Sequence, residues 1–236
     1  MISSSRGKGR IGVLVPFTNT NLEADATLLR PDGISIHFAR LGGYDRDEIP
    51  DAAQMANLGS SDIEEPLTLL AGVKPDVVWY GCTSATLTHG RTFDRQLAAR
   101  INAKSGASTV TAAGALVHAL QTLGTTKIGF ASPYTKDINQ EAVNFLADCG
   151  FQTVSHAEIS ETLDNYGQGL ISPQKVLEMG KQADSAEAEV IVLSCTDMRS
   201  VEIIDQLEQA LGKPVVTSNQ AMMFETLCHL GISAYQ

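Results

Sequence analysis

The sequence predicts an α/β protein of two pseudo-symmetric, parallel-sheet (flavodoxin-like) halves, with a site in the cleft between them. Three observations carry this. Short β-branched apolar runs alternate with segments of helical period, the pattern of parallel strands covered on both faces by helices. The opening Ile11-Gly12-Val13-Leu14, followed by Pro16-Phe17-Thr18, returns as Ile128-Gly129-Phe130-Ala131 with Pro133-Tyr134-Thr135. The run Val77-Val78-Trp79-Tyr80-Gly81-Cys82-Thr83-Ser84 is echoed by Val190-Ile191-Val192-Leu193-Ser194-Cys195-Thr196-Asp197. In each, a strand breaks at a small residue, presents Cys-Thr and leads into a helical pattern. The chain reads as a duplication of four strands per half, divided as residues 1–111 plus 218–236 and residues 112–217.

The elements follow in order. Ile11–Val15 is a strand, Pro16–Asn21 a polar loop and Leu22–Leu29 a helix, whose early Glu23 and Asp25 suit its dipole. Gly33–Arg40 is a strand, Leu41–Asp51 a loop and Asp62–Leu70 a helix. The first Cys strand follows Pro75-Asp76, and its helix shows Phe93, Leu97 and Ile101. Ser108–Thr111 is a strand. Ala112–Leu123 is a helix with Leu116, Leu120 and Leu123 on one face, and Gly124 stops it. Lys127–Ser132 restarts the pattern. A helix over Ile138–Cys149, stopped by Gly150, and a strand over Phe151–Ser155 come next. Leu163–Gly169 is a loop; Gly167 and Gly169 around Gln168 suit a lid or a plain turn equally. Pro173–Ala183 is a helix. After the second Cys strand a helix carries Val201, Ile204, Leu207 and Leu211. Gly212–Thr217 holds the last strand, and Asn219–Leu230 is the closing helix.

The net charge of −10 argues against nucleic-acid and membrane-surface partners. No apolar run approaches the ~20 residues that span a bilayer. Met1–Arg10 is polar and basic with no apolar run after it, so it reads as a frayed tail and not a signal peptide. A cytoplasmic, reducing location is expected, with Cys82, Cys149, Cys195 and Cys228 as free thiols. The cysteines lack paired spacing and the five histidines lack ligand spacing, so no metal is expected. His89 and His118 read as structural, and Met222-Met223-Phe224 as packing.

In open parallel sheets ligands sit outside the carboxyl ends of the strands. The two Cys-Thr turns and the loops Thr18–Asn21 and Pro133–Thr135 all lie there. A thiol of ordinary pKa ~8.5 is lowered at a helix N-terminus, where both cysteines are expected. Backbone amides of these turns, with the hydroxyls of Thr83, Ser84 and Thr196, would cradle a carboxylate and stabilise an enediolate formed from it. One thiolate and one thiol on opposite faces of a bound carbon supply a base or nucleophile and a proton donor, and no cofactor is needed. A lone cysteine at a buried strand end is ordinarily a small hydrophobe; recurrence in both halves is what singles out Cys82 and Cys195. Cys149 and Cys228 read as structural. Arg40, Arg91 and Arg199 are the nearest candidates for a second carboxylate.

Gly81-Cys82-Thr83-Ser84 and Ser194-Cys195-Thr196-Asp197-Met198-Arg199, with Val15–Thr20 and Ala131–Tyr134, resemble the aspartate/glutamate/hydantoin racemase superfamily. Within it the chain is most similar to the branch of maleate cis-trans isomerases, arylmalonate decarboxylases and ectoine-utilisation A proteins, over nearly its whole length. The resemblance implies that Cys82 is the nucleophile or base and Cys195 the opposing acid. It implies that Asn19, Tyr134 and Asn165 bind the substrate, and that the chain is a homo-oligomer, most simply a dimer. Phe17 departs from the isomerase pattern, which has a small hydroxyl there. The decarboxylases have Gly at the first cysteine position, which this chain does not. The amino-acid racemases show Cys-Asn-Thr there, and Thr83 departs from that. Val216–Ala221 looks like the ectoine-utilisation branch. The leading expectation is therefore a cofactor-free isomerase of a small carboxylate, maleate first. An amino-acid or amino-acid-derivative racemase, an arylmalonate-type decarboxylase and a non-catalytic carboxylate-binding protein are the alternatives.

Overall fold

The computed structural model describes residues 7–42, 47–159 and 161–233. Two four-stranded parallel sheets form. The first has the order β2-β1-β3-β4, from β1 (Gly9–Pro16), β2 (Ile34–Leu41), β3 (Val77–Tyr80) and β4 (Ser108–Thr111). The second repeats it as β6-β5-β7-β8, from β5 (Lys127–Ser132), β6 (Gln152–Glu158), β7 (Val190–Leu193) and β8 (Val215–Thr217). Every pairing is parallel. In both sheets the winding reverses direction between the first and third strand of the half. A crevice opens at such a switch point, here at the ends of β1 and β3 and of β5 and β7.

The strand period of two sorts side chains between two cores. Val77 and Trp79 join the larger core, which runs from the first sheet through Phe130 and Val192 of the second. Val78, Tyr80 and Cys82 face the smaller one, under Leu58, Leu67, Leu97 and Ile101. Trp79 is fully buried and donates its indole N–H to Thr226 Oγ1 at 2.5 Å, satisfying its one polar atom.

Helices α1 (Leu22–Leu29), α6 (Ala112–Leu123), α8 (Pro173–Gln182) and α10 (Ser218–Leu230) lie close to the sequence expectations. Thr111 caps α6 by accepting from Gly114 N, and Thr217 caps α10 by accepting from Gln220 N, so the last strand of each half ends in the same way. Gly124 and Gly231 close these helices with positive φ. α10 packs against α6, α1 and β4, which makes it the element most shared between the sheets.

Several boundaries differ from expectation. β1 begins at Gly9, inside the stretch expected to fray, while residues 1–6 of that stretch lie outside the described residues. The expected loop Leu41–Asp51 includes residues 43–46, which also lie outside them. α7 (Lys136–Asp148) starts two residues early, and β6 runs on to Glu158. The largest omission is α2 (Ala52–Ser60), which precedes α3 (Glu64–Ala71). Its apolar residues are sparse and Gly59-Ser60 obscures its end. Its signal was a cap: Asp51 accepts from Gln54 N at 2.7 Å, just before four good helix formers. Gly59 is there for packing, since a Cβ would strike the Ala85 carbonyl oxygen.

Candidate active site

The two Cys-Thr turns sit at the two switch points. At the end of β3, Gly81 passes so close to Leu14 O and the Leu22 side chain that a Cβ would collide with both. Cys82 then stands at the N-cap of the five-residue helix α4 (Thr83–Leu87), which precedes α5 (Gly90–Ser105), and its Sγ lies 3.7 Å from Ser84 Oγ. At the end of β7, Ser194 N donates to Ala131 O at 2.9 Å, and its hydroxyl lies 3.4 Å from Tyr134 Oη. No helix follows Cys195 directly. Thr196-Asp197-Met198 forms a turn, then come a 3₁₀ turn at Val201–Ile203 and α9 (Ile204–Leu211). The expectation that both cysteines open a helix holds only for Cys82.

All eight residues singled out by sequence line one cavity: Asn19, Cys82, Thr83, Ser84, Tyr134, Asn165, Cys195 and Thr196. It is narrow, with about 40 Å³ open to the centre of a water molecule, room for roughly three waters or one small ligand. Pro16, Thr18, Met55, Gln168 and Asp197 complete the lining. Met55 was out of reach of sequence reasoning because α2 was missed. Gln168 sits on the Leu163–Gly169 segment, whose 3₁₀ turn runs over Gly167–Leu170 and packs over the cleft. Its Oε1 accepts from Cys195 Sγ at 3.6 Å.

Several expected substrate binders are also structural ties. Asn19 Nδ2 donates to Thr196 Oγ1 at 3.0 Å, and the Thr196 hydroxyl donates to Gly81 O at 2.9 Å, so three residues staple one turn to the other. Asn19 Oδ1 also accepts from Asn21 N and Leu22 N. Thr83 Oγ1 donates to Ser218 Oγ at 3.1 Å, while Asn219 Nδ2 donates to Thr196 O at 3.1 Å. The start of α10 thereby touches both turns. Ser84 Oγ lies 3.1 Å from Met55 Sδ and 3.7 Å from Cys82 Sγ. Asn165 Nδ2 donates to Gln54 Oε1 at 2.8 Å, and its N–H to Glu48 O.

None of the arginines expected to reach a second carboxylate lines the cavity. Arg199 is held by Glu202 through two N–H donors, Arg40 donates to Pro16 O and Asn19 O and pairs with Glu23, and Arg91 is exposed on α5. Among the described lining residues there is no Lys, Arg or His. Phe17, expected beside the site, is also absent from the lining. His89 stacks on Phe93 and bonds Ala56 O.

Burial sets the electrostatics. It pushes the Cys82 thiol up, against the opposing pull of the Ala85 and Ser84 amides. It pushes Cys195 up further, and the carboxylate of Asp197 adds to the rise. The expectation of lowered thiol pKa values is overturned: desolvation of a buried anion outweighs the amides. Burial likewise raises Tyr134 and lifts Asp197 to about 7. At rest the two thiols and Tyr134 are neutral, Asp197 is divided between its two forms near pH 7, and the Asp197 N–H donates to Cys195 Sγ at 3.4 Å.

Four free thiols, and no group of metal-ligating residues among those described, complete the chemical inventory. No helix among the described residues is long and apolar enough to cross a membrane. A maleate isomerase of Pseudomonas putida is 29% identical over 231 residues, covering 92% of this chain and 90% of its own. The solved maleate isomerase Iso of Pseudomonas putida S16, a variant with maleate, superposes with a TM-score of 0.87 at 21% identity, over 95% of this chain and 92% of that one. A mutant of the Nocardia farcinica maleate cis-trans isomerase with a covalently bound succinylcysteine intermediate gives 0.86 at 22%, over 95% and 93%. Both share this arrangement of two parallel sheets. The family model for arylmalonate decarboxylase matches residues 11–235, which hold all of both sheets but the first two residues of β1, and the chain belongs to the arylmalonate decarboxylase family.

Proposed function

We propose that the chain is a cofactor-independent cis-trans isomerase converting maleate to fumarate, with Cys82 as nucleophile and Cys195 as proton donor. The observation that carries this is the pair of thiols in one narrow cavity lined from both sheets. A double bond does not rotate; addition of a thiolate makes it single. Cys82 is taken as the nucleophile because it opens a helix, while the Asp197 carboxylate weighs more heavily on Cys195. Cys82 first gives up its proton to solvent; the thiolate then adds to one alkene carbon, the electron pair moves to the neighbouring carbon, and Cys195 delivers its proton there. Rotation about the new single bond follows. The Cys195 thiolate, strongly basic because burial and Asp197 oppose its charge, takes the proton back, and the Cys82 thiolate leaves. A proton on carbon is a weak acid, so a raised thiol pKa suits this return step.

Asn19, Tyr134 and Asn165 would hold the acid, and the turns at Thr83–Ser84 and Thr196 would hold the carboxylate beside the carbanion through their backbone amides. The relatives' activity and the covalent intermediate of the Nocardia farcinica enzyme support this reading. The cavity's size favours a four-carbon acid over an aryl-substituted malonate. Apolar helix faces support a twofold homodimer, which light scattering tests, and the free thiols support a cytoplasmic setting. The division into residues 1–111 plus 218–236 and 112–217 is part of the same reading, supported by the packing of α10 on α1 and β4.

The deciding experiment is incubation with maleate in deuterated water, followed by proton NMR and intact-mass analysis. Fumarate and a mass gain of one maleate at Cys82 are expected. Exchange of Cα–H on an amino acid with no adduct would replace this reading with racemisation. Loss of carbon dioxide from an arylmalonate would replace it with decarboxylation.

A further inference from the structure

The cavity is to receive a dianion, yet among its described lining residues the one group that can carry a full charge at neutral pH is acidic: Asp197. An ionised Asp197 would repel the substrate and already opposes charge on both Cys82 and Cys195. The hydroxyl donors of the two turns are engaged elsewhere. The hydroxyls of Thr83, Ser84 and Thr196 are directed to Ser218, Met55 and Gly81.

Asp197 itself is asymmetric. Its Oδ1 accepts from Thr20 N at 2.7 Å, Asn21 N at 3.0 Å and Asn21 Nδ2 at 3.2 Å. None of these bonds uses Oδ2. Gly169 closes over the carboxyl group with no room for a Cβ, and Asn21 Nδ2 also donates to Gly169 O, so the group is held rigidly at the cavity wall. The other titratable or charged groups around it are Cys195 on its own turn, Cys82, Tyr134, Glu23 and Asp25 on α1, Asp164 on the segment above, and Arg199. Of these only Arg199 is a cation, and Glu202 holds it; Arg40 on β2, which donates to Asn19 O beside the Thr20 and Asn21 amides, is paired with Glu23.

We propose that Asp197 receives the substrate as a neutral acid: binding of the dicarboxylate draws one proton from solvent onto Oδ2, and that O–H donates to a substrate carboxylate. This rests on the dicarboxylate reading above. A carboxylic acid here does what an arginine does elsewhere, without placing a cation that would hold Cys195 as a thiolate and spoil it as a proton donor. The resting pKa of about 7 means the proton costs little at neutral pH.

Calorimetric titration with maleate, using Cys82→Ser to block turnover, in two buffers of different ionisation enthalpy at pH 7.5, tests it. Uptake of roughly 0.8 proton per site is expected, the fraction of Asp197 ionised beforehand. Asp197→Asn in the same background keeps an acceptor for the three N–H groups and puts an amide donor at the other position; its uptake should fall close to zero. In the Cys82-intact enzyme, KM should rise roughly tenfold between pH 7 and 8.5, and in Asp197→Asn it should stay flat. Maleate binding without proton uptake overturns the proposal, as does uptake undiminished in Asp197→Asn. Absence of any binding overturns the dicarboxylate reading instead, and this inference with it. If Asp197→Asn fails to fold, the KM profile decides alone, and a flat profile overturns the proposal.

Discussion

The turns after β3 and β7 share the text Cys-Thr and the same place in their sheets, yet they are different devices. After Cys82 the chain continues as Thr83-Ser84-Ala85-Thr86 and curls into α4. After Cys195 comes Asp197, whose carboxyl group is captured across the cleft by the amides of Thr20 and Asn21. That capture stretches the second turn toward the first half and prevents a helix from starting there. One residue, two places after each cysteine, therefore divides the labour. The first sulfur meets the Ser84 hydroxyl at the start of α4, and the second meets the Asp197 N–H, its carboxyl group and the Gln168 carbonyl oxygen. On the proposed reading, the residue after Cys-Thr is what separates a nucleophile from an acid.

The sharpest test of that division is to delete each sulfur. Cys82→Ala should abolish both fumarate formation and the adduct seen by intact mass, because the step that frees the double bond is gone. Cys195→Ala should slow turnover ~10²–10⁴-fold, the usual share of a positioned acid–base group, while leaving Cys82 able to form an adduct. Equal loss of the adduct in both variants would mean that the turns are equivalent after all, as a racemase requires. A smaller effect is expected from Thr196→Val. It removes the hydroxyl that accepts from Asn19 and donates to Gly81 O, leaving those groups buried and unpaired. That costs roughly 1–3 kcal/mol, read as a lower midpoint in urea, with the cleft loosened and kcat reduced.

What could be read in advance follows from the physics of each signal. The sheets were legible because a parallel strand buried on both faces must be apolar throughout, and Val77–Tyr80 and Val190–Leu193 are. The cysteines were legible because recurrence converts an ambiguous residue into a pattern. The thiol pKa values were misread, since a helix-start argument carries no information on burial and both sulfurs are nearly inaccessible. The arginines were misread because charge in a sequence says nothing of partners: Arg199 is spent on Glu202, three residues on. Met55 and Gln168 were not placed at the cavity for a common reason. They reach the cavity only through tertiary crossings, α2 over α4 and the Gln168 segment over the second turn.

The mildest test asks whether the asymmetry extends beneath the turns. Each rests on a buried acid. Asp94 lies under the first, bonded by Thr111 and Thr86; Asp25 lies under the second, where Asn219 donates to it at 2.7 Å while also holding Thr196 O. Burial raises both, and Asp25 reaches about 6. A carboxyl group whose native pKa exceeds its unfolded value binds more protons when folded. Its contribution is intact below ~4 and is lost as pH rises toward 6, so stability falls across that window. Asp25→Asn keeps an acceptor for Asn219 and removes the titration. Relative to the unsubstituted chain it should gain on the order of 1 kcal/mol between pH 4.5 and 7.5, the discounted worth of such a shift, measured by urea unfolding at both pH values. Asp94→Asn should move in the same direction. If both variants gain alike, the acids beneath the turns remain equivalent, and the division between the cysteines begins at Asp197 itself. A gain confined to Asp25→Asn would place its origin deeper, in the α1–α10 contact that supports only the second turn.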